Sequence, residues 1–125
     1  MSYDVRVEPE VDADVAELVE EDKEAARAAL SLMLALRDDP WLGDDLRERY
    51  NLRPLKDCRR IRFDREGWRG RPRYRLVYRN EPHDGAPSVV RVWSVGPRAK
   101  LVAYARAAAR MTRAEARERR RRQSA

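Results

Sequence analysis

Histidine, cysteine and phenylalanine each occur once in these 125 residues, and glycine only five times. One cysteine, Cys58, excludes an internal disulfide and fits a reducing compartment. No grouping of His, Cys and carboxylates has metal-ligand spacing, so metal-assisted hydrolysis is disfavoured and no cofactor is expected. No apolar run approaches the ~20 residues that a bilayer-spanning helix needs. The start, MSYDVRVEPE, lacks the basic stretch and apolar core of a secretory signal. A soluble, cytoplasmic protein with no membrane partner is expected. The length leaves room for one domain with one modest core.

What the chain has in abundance is charge, at 40% of residues. The net charge of +6 hides an asymmetry: residues 1–57 carry 8 Lys/Arg against 16 Asp/Glu, and residues 58–125 carry 20 against 6. A basic half of that density most often meets RNA or DNA, although a solvated basic surface with a basic tail has the same composition.

Apolar spacing organises the chain. Tyr3–Val7 alternates and reads as a short strand. Val11, Val15, Leu18 and Val19 mark a helix from Glu10, with Pro9 suited to its first turn. Ala26, Ala29/Leu30, Met33 and Leu36 mark a second helix over Lys23–Arg37, stopped by Asp38-Asp39-Pro40. Residues 41–56 mix breakers and charges and read as a linker with one helical turn near Asp44–Arg49. Three strands follow, Cys58–Phe63, Arg73–Arg79 and Ser88–Val95, the last two joined by the hairpin loop NEPHDGAP. A final helix begins near Arg98, with Leu101, Ala105, Ala108 and Met111 as its apolar stripe. It runs into RERRRRQSA, expected to fray or stay disordered. The order β-α-α-β-β-β-α predicts a small single-domain α+β fold, a helical hairpin covering a mainly antiparallel four-stranded sheet. The domain would span residues 1–111, with residues 112–125 as a basic C-terminal extension.

Strand periodicity then separates two faces. Ile61 and Phe63 share one face with Tyr74, Leu76 and Tyr78, which the helices must cover. Arg60 and Arg62 share the other with Arg73, Arg75, Val77 and Arg79. Neighbouring strands would gather Arg60, Arg62 and Arg75 into a cationic floor. A merely solvated face would interleave signs, because adjacent like charges are destabilising. The stretch SVGPRAKLVAY delivers Arg98 and Tyr104 to the edge of this floor, which points to phosphate chemistry. Metal-free RNA cleavage must deprotonate a 2′-hydroxyl, stabilise a phosphorane and assist the leaving 5′-oxygen. His83 lies in a turn and reads as an exposed loop residue. Tyr104 suits a base only if nearby cations lower its pKa. Trp41 and Trp93 receive no functional role; Trp93 and Cys58 read as buried strand residues.

These residues resemble the RelE family of the RelE/ParE type II toxin–antitoxin superfamily. The likeness is most specific in DCRRIRF (Asp57–Phe63), YRLVY (Tyr74–Tyr78) and SVGPRAKLVAYARAAAR (Ser94–Arg110), and covers about residues 3–111. It implies a ribosome-dependent mRNA endoribonuclease (an mRNA interferase) that uses no metal and leaves a 2′,3′-cyclic phosphate. The implied partners are mRNA in the ribosomal A site, the 70S ribosome with its rRNA, and a cognate antitoxin. By resemblance Tyr104 is the general base, and Arg98 stabilises the phosphorane and helps the leaving group. Arg75 orients the scissile phosphate, and Arg60 and Arg62 supply transition-state charge. Lys56, Arg73, Arg79, Trp68 and Lys100 are candidates for RNA contact.

Three features depart from the family pattern: Arg at 60 and 62 where lysine is common, a longer loop Asp64–Arg73, and the extension after Met111. Arginine keeps the charge but is a poor proton donor. Two alternatives stand beside the ribonuclease: a ParE-like toxin that inhibits DNA gyrase, and a relic of the fold that binds RNA without cleaving it. ParE-like proteins generally lack the Arg–Tyr pair present here.

Overall fold

The computed structural model describes residues 2–47 and 54–124. Strand β1 (Asp4–Val7) leads into helices α1 (Glu10–Glu21) and α2 (Lys23–Ala35). Asp22 joins them alone. Its backbone N–H closes α1 on the Leu18 carbonyl, and its carboxylate accepts from Ala25 N to cap α2. One extended residue thus ends one helix and starts the next, giving the expected αα-hairpin without a spacer.

The sheet has the order β1-β5-β4-β3-β2, with β1 parallel to β5 and the other pairs antiparallel. Its long members are β3 (Arg59–Phe63), β4 (Tyr74–Glu81) and β5 (Val89–Pro97). A fifth strand, β2 (Asp44–Asp45), corrects the expected count of four. It lies where a helical turn was expected, and residues 48–49 of that turn fall outside the described residues. Two causes place β2 there. Asp44 and Asp45 stand opposite Arg60 and Arg59, so charge favours the pairing. Gly43 also lets the backbone approach closely: a Cβ there would lie 2.5 Å from the Arg60 carbonyl oxygen.

Helices cover both faces of the sheet. Ile61, Phe63, Tyr74, Leu76 and Tyr78 pack with Val90, Val92 and Val95 against α1 and α2, as the alternation requires. The opposite face carries a second core, in which Val77, Trp93 and Cys58 meet Ala103, Tyr104, Ala107 and Met111 of α3 (Val102–Ser124). A β-bulge prepares that face. Val77 pairs with Ser94 but Tyr78 with Val92, leaving Trp93 as the extra residue. Ser94 Oγ donates to the Ala103 carbonyl at 2.6 Å, tying α3 to the bulge.

Helix α3 differs from its expected stripe. Its buried positions are Ala103, Tyr104, Ala107 and Met111, while Leu101 is 46% exposed. The 3-10 turn Ala99–Leu101 sets this phase, with Lys100 and Leu101 at φ 56° and 58°. The extension is helical through Ser124 rather than frayed, with Glu118 beside Arg121 and Arg122. Part of the charge asymmetry is internal. Glu17, Asp14 and Glu10 of α1 pair with Arg106, Arg110 and Arg113 of α3 at 2.6, 2.6 and 3.1 Å. No helix among the described residues is long and apolar enough to cross a membrane.

Candidate active site

Where α3 leaves the sheet uncovered, the arginine face remains open. Arg62 stands directly opposite Arg75 across β3 and β4, and Arg60 faces Val77 on the same side. Two arginines in register repel, so their pairing calls for a counter-charge. Arg62 has a loose one in Asp44 at 3.6 Å. Arg75 is 4% exposed, and its Nη1 donates to the carbonyls of Pro72 and Tyr74 at 2.9 and 2.8 Å. Burial holds the Arg75 guanidinium below its ordinary value. Tyr104 acts the other way, and the charges of Arg60 and Arg98 add to the depression. The buried Nε atoms of Arg60 and Arg75 have no acceptor among the described residues. Buried donors are rarely left unsatisfied, and a bound anion would supply acceptors here.

The Gly96-Pro97 exit of β5 completes the arrangement. Gly96 pairs with Arg75, and a Cβ on it would press within 3.0 Å of the Arg106 guanidinium and 3.4 Å of Ala103 Cα, so glycine lets α3 cross close above. Arg98 N donates to the Arg73 carbonyl at 2.8 Å, fixing the start of the 3-10 turn. The result is a cleft of about 120 Å³ lined by Arg60, Arg62, Arg71, Pro72, Arg75 and Arg98. Its lining contains no carboxylate. Tyr104 lies behind this wall, 3% exposed, with its oxygen accepting from Arg60 Nη1 at 3.0 Å.

Four of the five residues expected to carry chemistry therefore meet at one cleft, and Tyr104 reaches it through Arg60. The expected RNA contacts do not gather there. Arg73 is clamped between Asp22 and Asp64, each at 2.8 Å, with its guanidinium 3.7 Å from the Trp68 ring centroid. Arg79 pairs with Glu81 at 2.7 Å and lies over Trp93. Lys56 and Arg79 border a separate depression of about 970 Å³ with Asp45, Asp57 and Glu81. Lys100 is exposed at the kink beside Arg98. Arg71 has no individual signal in the sequence; what marks its loop is Asp64 and Arg73, the matched pair that pins the loop ends. Among the described residues no three His, Cys, Asp or Glu side chains cluster as metal ligands.

The chain is a three-layer α+β domain with a cationic cleft at the strand-to-helix exit. No protein-family model and no curated protein sequence matches the chain. Among solved structures, an arginine-to-alanine double variant of the E. coli toxin RelE, in the free state, is similar with a TM-score of 0.56. The match covers 86% of this chain and 95% of that one at 22% identity. The chain thus has the RelE-type toxin fold.

Proposed function

We propose that this chain is the toxin of a type II toxin–antitoxin system, a metal-free endoribonuclease acting on mRNA in the ribosomal A site. The observation that carries the reading is the meeting of Arg60, Arg62, Arg75 and Arg98 in one carboxylate-free cleft, with Tyr104 hydrogen-bonded to Arg60. Charge of that density suits a phosphodiester whose negative charge grows during reaction.

In the proposed reaction the 2′-oxygen attacks phosphorus while the bond to the 5′-oxygen breaks, leaving a 2′,3′-cyclic phosphate and a 5′-hydroxyl. Tyr104, having first lost its own proton to solvent, takes the 2′-hydroxyl proton as the phenolate and becomes the phenol. Arg75 and Arg60 hold the non-bridging oxygens, Arg62 adds charge, and Arg98 supports the leaving oxygen. That oxygen takes its final proton from solvent, since a guanidinium does not release one at neutral pH. Binding and base release are coupled: a phosphate accepting from Arg60 competes with the Tyr104 oxygen for the same donor. Cognate antitoxin and ribosome are the partners this reading requires, and the cytoplasm is its place.

The burial of Tyr104 favours one second reading, in which the phenol only braces Arg60 and the cleft binds RNA without cutting it. Induced expression in a bacterium, followed by primer extension on a reporter message, separates the two. The ribonuclease reading expects growth arrest and codon-register cuts in translated mRNA, relieved by Arg98→Ala. Arrest with intact message and trapped gyrase would instead point to the ParE-like activity.

A further inference from the structure

We propose that the β3–β4 loop gives the cleft a second anion subsite, in which Arg71 holds the RNA phosphate adjoining the scissile one. The proposal rests on the reading of the cleft as a phosphodiester site. Its first support is charge. Five guanidiniums line the cleft, whereas each phosphodiester brings one negative charge. A single phosphate leaves most of that positive charge unanswered, and among the described residues the one acid paired with a cleft arginine is Asp44, 3.6 Å from Arg62.

The second support is that the loop is built rather than loose. Asp64 accepts from Arg73 N, Nε and Nη2 at 2.9, 3.0 and 2.8 Å, and Arg73 Nη2 also donates to Asp22 at the α1–α2 junction. Trp68 stacks on that guanidinium and donates from Nε1 to the Arg71 carbonyl at 3.2 Å. Gly67 and Gly70, at φ 79° and 105°, make the turns this path needs. The loop end is joined to the cleft on both sides, through Arg75 Nη1 to the Pro72 carbonyl and Arg98 N to the Arg73 carbonyl. The backbone of Arg71 is thereby fixed relative to Arg75 and Arg98, while its side chain is exposed and has no ion pair among the described residues. Asp64, Trp68 and Arg73 are positioning residues on this account; Arg71 touches the RNA.

The test is an NMR titration of the full chain with 2′-O-methylated oligonucleotides, which cannot be cleaved: a dinucleotide with one internucleotide phosphate and a trinucleotide with two. Arg71→Ala is expected to weaken trinucleotide binding about tenfold, and to flatten its salt dependence by roughly 0.7 in log–log slope. Dinucleotide affinity should stay at the wild-type value. Asp64→Asn, which keeps Arg71 but loosens its anchor, should show the same selective loss at an unchanged fold by circular dichroism. Equal loss on both probes, or no loss on either, overturns the second subsite. Failure of the wild-type chain to bind either probe, or unchanged binding in Arg75→Ala, overturns the phosphodiester reading itself.

Discussion

Replacing Asp14 with alanine should be the most damaging single change outside the apolar cores. The side chain is 3% exposed, and it accepts from Val95 N at 3.0 Å and from Arg110 at 2.6 and 2.8 Å, with Arg106 at 3.3 Å. One carboxylate therefore joins α1, β5 and α3. Removing one partner of a buried ion pair costs about 3–5 kcal/mol, and orphaning a buried N–H costs a further ~1–3 kcal/mol. These do not simply add, because the arginines have other acceptors: Arg106 keeps Glu17 and the Val95 carbonyl, and Arg110 keeps the Trp93 carbonyl. The lower bound of about 3 kcal/mol is the expected loss. Urea titration by circular dichroism would read it, as would a fall of about 10 °C in melting temperature. Glu10→Ala is the control. Its partner Arg113 is 56% exposed, and such surface pairs contribute about 0.5 kcal/mol or less. If Asp14→Ala lost no more than the control, the buried network would not be what holds α3 to the sheet.

Two further outcomes follow from shifted ionisations. Hydrogen bonds from Arg59 hold the Asp84 carboxyl below its ordinary value of 3.8, with burial opposing and Asn80 assisting. A depressed carboxylate stabilises the fold above the unfolded pKa of ~3.9 and loses that effect as pH falls through the folded value. Asp84→Asn should thus destabilise the protein at about pH 7, and the gap to wild type should narrow as pH falls below about 4; a constant gap in urea midpoint would contradict the assignment. Burial pushes the Cys58 thiol up to about 12. A thiol reagent at about pH 8 should therefore modify it only on unfolding, and rapid labelling of the native protein would show that the α3 face is open.

Much of this architecture was legible because it rests on local chemistry. Period-two alternation placed Ile61, Phe63, Tyr74, Leu76 and Tyr78 on the covered face, and with it Arg60, Arg62 and Arg75 on the other. What escaped depends on long-range contact. The bulge at Trp93 reverses the alternation of β5 only because Ser94 must meet Ala103 of α3. The left-handed residues Lys100 and Leu101 shift the helix phase, and neither is a residue type that announces positive φ. Strand β2 exists by virtue of its arginine partners on β3, and Asp14 is buried only because Arg110, 96 residues away, returns to it. Tyr104 was expected at the edge of the arginine floor. Its depth behind Arg60 follows from the packing of α3, which nothing in SVGPRAKLVAY encodes alone.

The central claim is that the arginine cleft cuts RNA with Tyr104 as its base, and the phenolic oxygen is the atom on which it turns. Single-turnover cleavage of mRNA on programmed ribosomes, with purified wild-type chain and Tyr104→Phe, tests it most directly. The account predicts that the variant stays folded and binds as well as wild type while its cleavage rate falls at least about 100-fold. Cleavage by Tyr104→Phe at the wild-type rate would remove Tyr104 from the chemistry and leave the phenol as a brace for Arg60.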